Sequence, residues 1–178
     1  KLFLDNKLIE SRKATIIRGC GVNVSQFQAK PEPEGTTVVM FPSRILGDKG
    51  VNEFVDAARD LKSRGIHARF VLVGRTDPDN PTNVPEKDIQ RWIDEKIIEW
   101  WGFSTDMVST LSKAHIICLP SYREGLPRGL IEAAATARAI IATDVPGCRE
   151  IVIDGENGIL VPVRNSHAIS EAILLLIR

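Results

Sequence analysis

The stretch Cys118–Ala135, CLPSYREGLPRGLIEAAA, determines how the rest of the chain is interpreted. It starts at the end of a short apolar run, His115–Leu119, which is typical of a strand covered on both faces. A turn-rich loop follows, and Pro127 suits the first turn of a helix, where a missing N–H costs nothing. A strand, a glycine-bearing loop and a helix start together predict an anion site, because free backbone N–H groups and the positive end of a helix dipole meet there.

The predicted helix has an apolar face that we expect to pack on the sheet, formed by Leu130, Ile131, Ala134 and Ala135. The flank away from that face carries polar residues at i, i+4 spacing, namely Arg128, Glu132 and Thr136. Two carboxylates, Glu124 before the helix and Glu132 inside it, bracket the predicted anion site.

These two glutamates are separated by seven residues in the run PSYREGLPRGLIEAA, residues 120–134. The run resembles the acidic signature of retaining glycosyltransferases with two Rossmann-like domains (the GT-B type), and the group 1 (family 4) enzymes match it best. The resemblance covers residues 14–178 and implies the C-terminal, nucleotide-sugar-binding domain of such an enzyme. Residues 1–13 are then an interdomain linker or a remnant of the N-terminal domain, which binds the acceptor in that family and is missing here.

Strand and helix patterns alternate through most of the chain. The predicted strands are 37–41, 68–73, 98–101, 115–119, 139–143 and 158–161, and a strand-like run, Ala14–Ile17, precedes them. We expect helices between them to be capped by Asp48, by Ser104 or Thr105, and by Asn165 or Ser166. This alternation predicts an α/β fold with a single Rossmann-like, doubly wound parallel sheet and helices on both faces.

Ligands of such sheets bind at the carboxyl ends of the strands. One of the loops expected there, SRILGDKG (residues 43–50), carries Arg44 and Lys49. It resembles the family motif Gly-Arg-Leu…Lys-Gly, with Ser43 in place of the usual glycine. A planar guanidinium fork and a mobile ammonium are complementary ways to hold the phosphate oxygens of a departing diphosphate.

The resemblance implies a role for each candidate residue. Arg44, Lys49 and Glu124 are the candidate catalytic residues, with the two cations on the diphosphate and Glu124 on the donor sugar. Glu132 binds the ribose hydroxyls. The remaining candidates contribute mainly backbone groups. Those at the helix start are expected to contact the phosphates: Gly125, Leu126, Pro127, Arg128 and Gly129. Those at two strand ends are expected to contact the rest of the donor, with the base near residues 102 and 103: Gly74, Gly102 and Phe103.

No metal or cofactor is expected besides the nucleotide sugar. Asp77 and Asp79 have the Asp-x-Asp spacing of a metal site, but they lie in a proline-bordered loop where turn formation is the expected role. The three cysteines show no metal-ligand spacing and suit small buried apolar positions in a reducing cytoplasm.

The expected partner is a nucleotide sugar. The loop GRTDPDNP (74–81) and the run EWWGF (99–103) resemble bacterial enzymes that build capsule, O-antigen or lipid-linked glycans, which implies a UDP-hexose or UDP-N-acetylhexosamine. The 23 basic and 23 acidic side chains balance, so no basic field indicates nucleic acid. We expect a cytoplasmic hexosyltransferase, touching the inner face of the membrane only through the missing domain, and an isolated domain that is inactive alone.

Two alternatives of other classes stay open at this point. One is a non-catalytic, flavodoxin-like nucleotide-binding module, in which the set of Arg44, Lys49 and paired glutamates is not expected. The other is a GT-B enzyme of different chemistry, a sugar-nucleotide epimerase or a phosphorylase, which the sequence of the first domain would distinguish. The chain also departs from the family pattern after the signature helix, where Ala137 and Ala139 stand in place of Gly and Pro.

Overall fold

The computed structural model describes residues 2–15 and 19–177. Ile16 and Ile17, which the sequence assigns to a strand, lie outside them. The strands of the described part are β1 (Val38–Pro42), β2 (Arg69–Val73), β3 (Glu99–Trp100), β4 (Ile116–Leu119), β5 (Ala139–Thr143) and β6 (Gly158–Val161). Its α-helices are α1 (Leu2–Asp5), α2 (Val51–Ser63), α3 (Glu86–Asp94), α4 (Met107–Leu111), α5 (Arg128–Ala135), α6 (Pro146–Arg149) and α7 (Ser166–Leu176). Short 3-10 turns lie at Ser11–Lys13 and Gly47–Lys49.

The six strands form one sheet in the order β3-β2-β1-β4-β5-β6, and every neighbouring pair is parallel. The predicted doubly wound α/β fold is therefore confirmed, and the bounds of these six strands differ from the predicted ones by one residue at most. After β1, the next two strands, β2 and β3, are added on one side of β1, and β4, β5 and β6 are added on its other side. The switch point of the sheet thus lies between β1 and β4, where ligands of such folds bind.

The two faces of the sheet carry separate apolar layers. On one face α2, α3 and α7 cover the sheet, and Phe54 of α2 packs between Phe41 of β1 and Phe70 of β2, with ring centroids 5.6 and 6.0 Å away. On the other face α4, α5 and α6 pack against the opposite side chains of β1 and β4, among them Met40 and Ile117. Successive side chains of a strand point into opposite layers, which explains the nearly continuous apolar sequence of the central strands.

Three helices end with the same reverse turn. After α2, α3 and α5 the chain places Gly65 (φ 77°), Lys96 (φ 58°) and Ala137 (φ 57°) in the left-handed conformation. After α5, the N–H of Ala137 donates to the carbonyl oxygen of Ala134 and that of Arg138 to that of Ala133, both at 3.0 Å. These bonds define a Schellman motif, which usually has glycine at the left-handed position.

The structure corrects two of the predicted caps. Asp48 does not cap α2, which follows Gly50 in a left-handed conformation (φ 78°), where a side chain would collide with the carbonyl of Pro120. Neither Ser104 nor Thr105 caps α4, because the carboxylate of Asp106 accepts from the N–H of Ser109 at 3.0 Å. Asn165 does cap α7, accepting from the N–H of Ala168 at 2.9 Å.

The predicted buried face of α5 is only partly correct. Leu130 and Ala133 are buried as expected of a packed helix, but Glu132 and Thr136 are buried with them and Ala134 is exposed. An alanine removes little apolar area from water, so alanines constrain the rotation of a helix only weakly. The helix is instead rotated so that the flank bearing the acidic signature faces the interior.

The cysteines are only partly as predicted. Cys118 and Cys148 are buried, whereas Cys20 is exposed, because it lies in the irregular segment that precedes the sheet.

Candidate functional site

A cleft of about 510 Å³ opens at the carboxyl edge of the sheet. Its walls are the ends of β1 and β2, the segment after β3 and the first turns of α5. The cleft therefore lies at the switch point, as the topology requires. The predicted site residues that line it are Arg44, Gly74, Phe103, Arg128 and Glu132.

Glu132 is the buried carboxylate of the cleft, with 7% of its surface exposed. Its Oε1 accepts from the Nε of Arg128 at 2.8 Å, one helical turn earlier. Burial raises the pKa of Glu132, and the charge and hydrogen bond of Arg128 oppose that rise. The cleft thus holds a buried acceptor group whose side-chain partner, within the described part of the chain, is the exposed Arg128.

Arg44 is held at the cleft mouth by an acidic partner. Its NH1 lies 2.7 Å from the Oδ2 of Asp77, in the loop after β2. The N–H of Asp77 donates to the Oδ1 of Asn83 at 2.8 Å and its carbonyl accepts from the N–H of Asn80 at 2.9 Å. Asp77 therefore forms the predicted turn and also positions the guanidinium of Arg44, a contact that the sequence did not suggest.

The loop that contains Asp77 braces the whole cationic loop. The N–H of Ile45 donates to the carbonyl of Arg75 at 3.0 Å, and that of Gly47 to the carbonyl of Thr82 at 2.7 Å. The hydroxyl of Thr82 lies 3.1 Å from the Oδ1 of Asp48. The segment 75–85 thus fixes the backbone on which both predicted cations stand.

Lys49 and Glu124 form a second polar centre beside the cleft. The Nζ of Lys49 lies 2.7 Å from the Oε1 of Glu124, and both side chains are largely buried. Behind Glu124, burial and the nearby carboxylate raise the pKa of the Cys148 thiol to about 11. A side chain at Gly147 would collide with the carbonyls of Glu124 and Gly125, so a glycine is needed where this loop passes α6.

Within the described part of the chain, the remaining predicted site residues lie outside the lining of the cleft. Pro127 is the N-cap residue directly before α5 and not part of its first turn, so the predicted helix start is correct to within one residue. Gly102 holds the end of β2 in place, because its carbonyl oxygen accepts a hydrogen bond from the N–H of Gly74 at 2.8 Å. The loop residues Gly125 and Leu126 and the first-turn residue Gly129 complete the set outside the lining.

Sequence reasoning missed Arg75 as a site residue. Its guanidinium carbon lies 5.3 Å from the centroid of the Phe103 ring, and both residues line the cleft. Phe103 is 63% exposed, so its ring is accessible from the cleft. The available signal was positional, because both residues follow strand ends that meet at one edge of the sheet.

Residues 36–178 match the family model "Glycosyl transferases group 1". The chain belongs to this family. A group 1 relative from Campylobacter jejuni, N,N'-diacetylbacillosaminyl-diphospho-undecaprenol alpha-1,3-N-acetylgalactosaminyltransferase, is 30% identical over 98% of the chain and 48% of its own length. The capsular polysaccharide biosynthesis glycosyltransferase CapM of Staphylococcus aureus is 27% identical over 79% of the chain and 36% of its own length.

Solved glycosyltransferase structures share the fold. Sucrose-phosphate synthase from Thermosynechococcus elongatus superposes with a TM-score of 0.79 at 24% identity, over 98% of this chain and 46% of that one. The C-terminal domain of the group 1 protein LpcC from Francisella tularensis gives 0.71 at 26% identity, over 88% and 87% of the two chains. This chain therefore corresponds to a group 1 C-terminal domain and spans about half the length of the first curated relative that it matches.

In this group 1 domain, no α-helix within residues 2–15 and 19–177 has the length and apolarity needed to span a bilayer.

Proposed function

We propose that this chain is the donor-binding domain of a retaining glycosyltransferase that transfers a hexose or N-acetylhexosamine from a UDP-sugar. The observation that carries the proposal is the cleft at the switch point. Three arginines, a buried carboxylate and an exposed aromatic ring line it. These groups complement the phosphates, ribose hydroxyls and base of one nucleotide.

The phosphate end of the donor lies, in this proposal, between Arg44 and Lys49. Asp77 engages one guanidinium nitrogen of Arg44, which leaves the other N–H donors for phosphate oxygens. Charge on the diphosphate grows as the glycosidic bond breaks, so cations held ready beside it stabilise the transition state more than the ground state. The backbone N–H groups at the start of α5 add donors from the other side, and no metal is required.

The sugar end of the donor is assigned to the Lys49–Glu124 pair. Glu124 stands in the loop after β4, outside the walls that hold the nucleotide, where a sugar attached to the diphosphate would extend. Lys49 then serves two groups, the carboxylate that orients the sugar and the phosphate that leaves. Glu132 accepts from the ribose hydroxyls, with Arg128 fixing its carboxylate.

The relatives support the proposed donor and pathway. Structures of Anabaena Alr3699/HepE in complex with UDP and with UDP-glucose share the fold at TM-scores of 0.73 and 20% identity. The Campylobacter jejuni relative is named for N-acetylgalactosamine transfer to a diphospho-undecaprenol-linked sugar. We therefore assign this domain to bacterial polysaccharide or lipid-linked glycan synthesis, in the cytoplasm at the inner face of the membrane.

The acceptor is assigned to a separate N-terminal domain. Residues 14–178 then form the donor-binding domain, and residues 1–13 belong to the linker or to that other domain. Membrane contact is assigned to the N-terminal domain as well.

The deciding experiment is a panel of nucleoside diphosphates tested for thermal stabilisation of the 178-residue chain. UDP should raise the unfolding midpoint, and Glu132→Ala should weaken UDP binding roughly tenfold or more in calorimetry, because a charged hydrogen-bond partner is lost. Glu156→Ala, at an exposed glutamate in the loop before β6, is the matched control and should bind UDP like the parent. Absence of stabilisation by every nucleotide, or equal UDP affinity for Glu132→Ala and parent, would refute the assignment.

A further inference from the structure

Arg75 differs from the other two arginines of the cleft in its charge partner. Arg44 pairs with Asp77 and Arg128 with Glu132, each through a nitrogen–oxygen contact below 3 Å. Arg75 has no carboxylate partner among residues 2–15 and 19–177, and its guanidinium instead lies over the ring of Phe103. Its N–H donors are therefore free for a ligand at a place where a planar, apolar surface is also available.

The backbone of Arg75 is fixed although its side chain is exposed. Its carbonyl accepts from the N–H of Ile45 at 3.0 Å, and Gly74 before it is bonded to Gly102 at 2.8 Å. A side chain at Gly74 would collide with the carbonyl of Ser43, which shows how tightly this strand end is packed. The guanidinium therefore emerges from a rigid anchor beside Phe103, as expected of a group that reads a ligand edge.

We propose that Arg75 selects the base of the donor by donating to the 4-oxo group of a uracil stacked on Phe103. The inference rests on the proposed function and deepens it. Bases stack on aromatic rings with little regard to identity, so Phe103 alone would not distinguish one nucleotide from another. A base that shares the ring with the guanidinium presents its edge to the N–H donors, and that edge differs between bases.

The positions of Glu132 and Arg75 determine which edge of the base meets the guanidinium of Arg75. Glu132 on α5 holds the ribose in the proposed function. Arg75 and Phe103 follow β2 and β3, which lie on the other side of β1 from β4, the strand that precedes α5. The 2-oxo group of a pyrimidine lies next to the glycosidic bond, and the 4-position lies at the far end of the ring. A base that reaches across the cleft from the ribose therefore brings its 4-position to Arg75.

Cytosine carries an amino group at that position, which is a donor. Facing the guanidinium, it leaves both groups without an acceptor in a partly desolvated place, whereas the uracil oxygen accepts a charge-assisted hydrogen bond. Sites that bond a polar substituent reject the analogue that lacks it more strongly than sites that only pack against it. We expect the parent chain to bind UDP roughly tenfold more tightly than CDP.

The test is calorimetric titration of UDP and CDP into the parent and three variants. Arg75→Met keeps the apolar stem and removes the donors, so UDP should weaken roughly tenfold while CDP changes by less than about twofold. Phe103→Ala should weaken both nucleotides by the same factor, because stacking does not depend on the 4-substituent. Arg123→Met removes an exposed arginine from the loop after β4 and should leave both affinities unchanged.

Each contrary result has a distinct meaning. Equal loss of UDP and CDP in Arg75→Met would make Arg75 a phosphate contact and overturn base selection. Unchanged affinities would remove Arg75 from the site. A parent that binds UDP and CDP equally well would also overturn the inference while the proposed function stands. A parent that binds no nucleoside diphosphate would overturn the proposed function, and this inference with it.

Discussion

The Nζ of Lys49 lies 2.7 Å from the Oε1 of Glu124, and the side chains are 20% and 12% exposed. The contact joins the loop after β1 to the loop after β4, and these two strands are parallel neighbours at the switch point. Both residues are candidates for the same site, one for the leaving phosphate and one for the sugar. Their partial burial makes the pair sensitive to the loss of either charge.

Removing one member of this pair should destabilise the fold. In Lys49→Ala, the largely buried Glu124 loses its ion-pair partner, so we expect the free energy of unfolding to fall by about 1–3 kcal/mol. In Arg44→Ala the partner is the more exposed Asp77, and the fall should be at most about 1 kcal/mol. Urea unfolding measures both. The double variant Lys49→Met/Glu124→Gln should recover most of the stability lost in Lys49→Ala. Equal losses in Lys49→Ala and Arg44→Ala would contradict the difference expected between the buried and the exposed ion pair.

The two cations should matter for the diphosphate and not for the nucleoside. Arg44→Ala and Lys49→Ala should each weaken UDP roughly tenfold, since charge-assisted contacts to phosphate are lost. Uridine should bind each variant as it binds the parent. Competition titrations of UDP and uridine test this, with the exposed Lys87→Ala as the control for loss of one positive charge. If uridine suffers equally, the residues shape the fold and do not hold the leaving group.

Ribose recognition by Glu132 should depend on pH. Burial raises the pKa of this carboxyl group, so acidification should weaken UDP at a higher pH than the usual glutamate range, near 4.3. Arg128 lowers the pKa, so Arg128→Met should move the loss to still higher pH. UDP affinity measured between about pH 4 and pH 8 gives both midpoints. A midpoint that does not move in Arg128→Met would show that Glu132 does not control the profile.

The raised pKa of Glu132 affects stability in the opposite direction from UDP affinity. A carboxyl group whose pKa is raised by folding binds its proton more tightly in the folded state than in the unfolded state. Protonation of Glu132 therefore adds stability as the pH falls toward the ordinary glutamate pKa, while it removes affinity for UDP. Glu132→Gln should eliminate this contribution, which separates it from the other carboxylates in a pH series of unfolding experiments.

Glycine at position 137 should stabilise the chain. Ala137 has φ 57°, where a Cβ is unfavourable, so Ala137→Gly should raise the free energy of unfolding by about 1 kcal/mol and Tm by roughly 2–4 °C. Ala134→Gly is the control, because this exposed residue is helical and glycine there should lower stability by about 1 kcal/mol. A fall in Tm for Ala137→Gly would show that relief of the left-handed alanine does not compensate for the added freedom of the unfolded chain.

The 178-residue chain should bind UDP and transfer no sugar. Proximity of acceptor and donor supplies up to about 7–11 kcal/mol of the barrier reduction, and this term requires the acceptor domain. If the proposed acceptor domain supplies the facing wall of the donor pocket, the 178-residue chain should bind UDP with a Kd of roughly 0.1–1 mM. Binding is measured by calorimetry and transfer by chromatography of labelled product. Transfer from a UDP-sugar to any acceptor by the purified chain would contradict the separate acceptor domain.

Local chemistry was sufficient for most of the fold. Alternating apolar strands and amphipathic helices determined the strand positions, since these patterns depend on residues that are close in sequence. The start of α5 directly after Pro127 and the cap at Asn165 were predictable for the same reason. The rotation of α5 was not, because its alanines bury too little area to distinguish one face from another.

The sequence by itself determined which loops meet at the carboxyl edge and which glutamates belong to the acidic signature. Only the tertiary structure decided how the charges pair there: Lys49 with Glu124, Arg44 with Asp77, and Arg75 with the ring of Phe103 and with no carboxylate of the described residues. Charge pairing depends on distances of a few ångströms between loops that are remote in sequence. Those distances are set by the order of the parallel strands and by the packing of the loops, which no local pattern encodes.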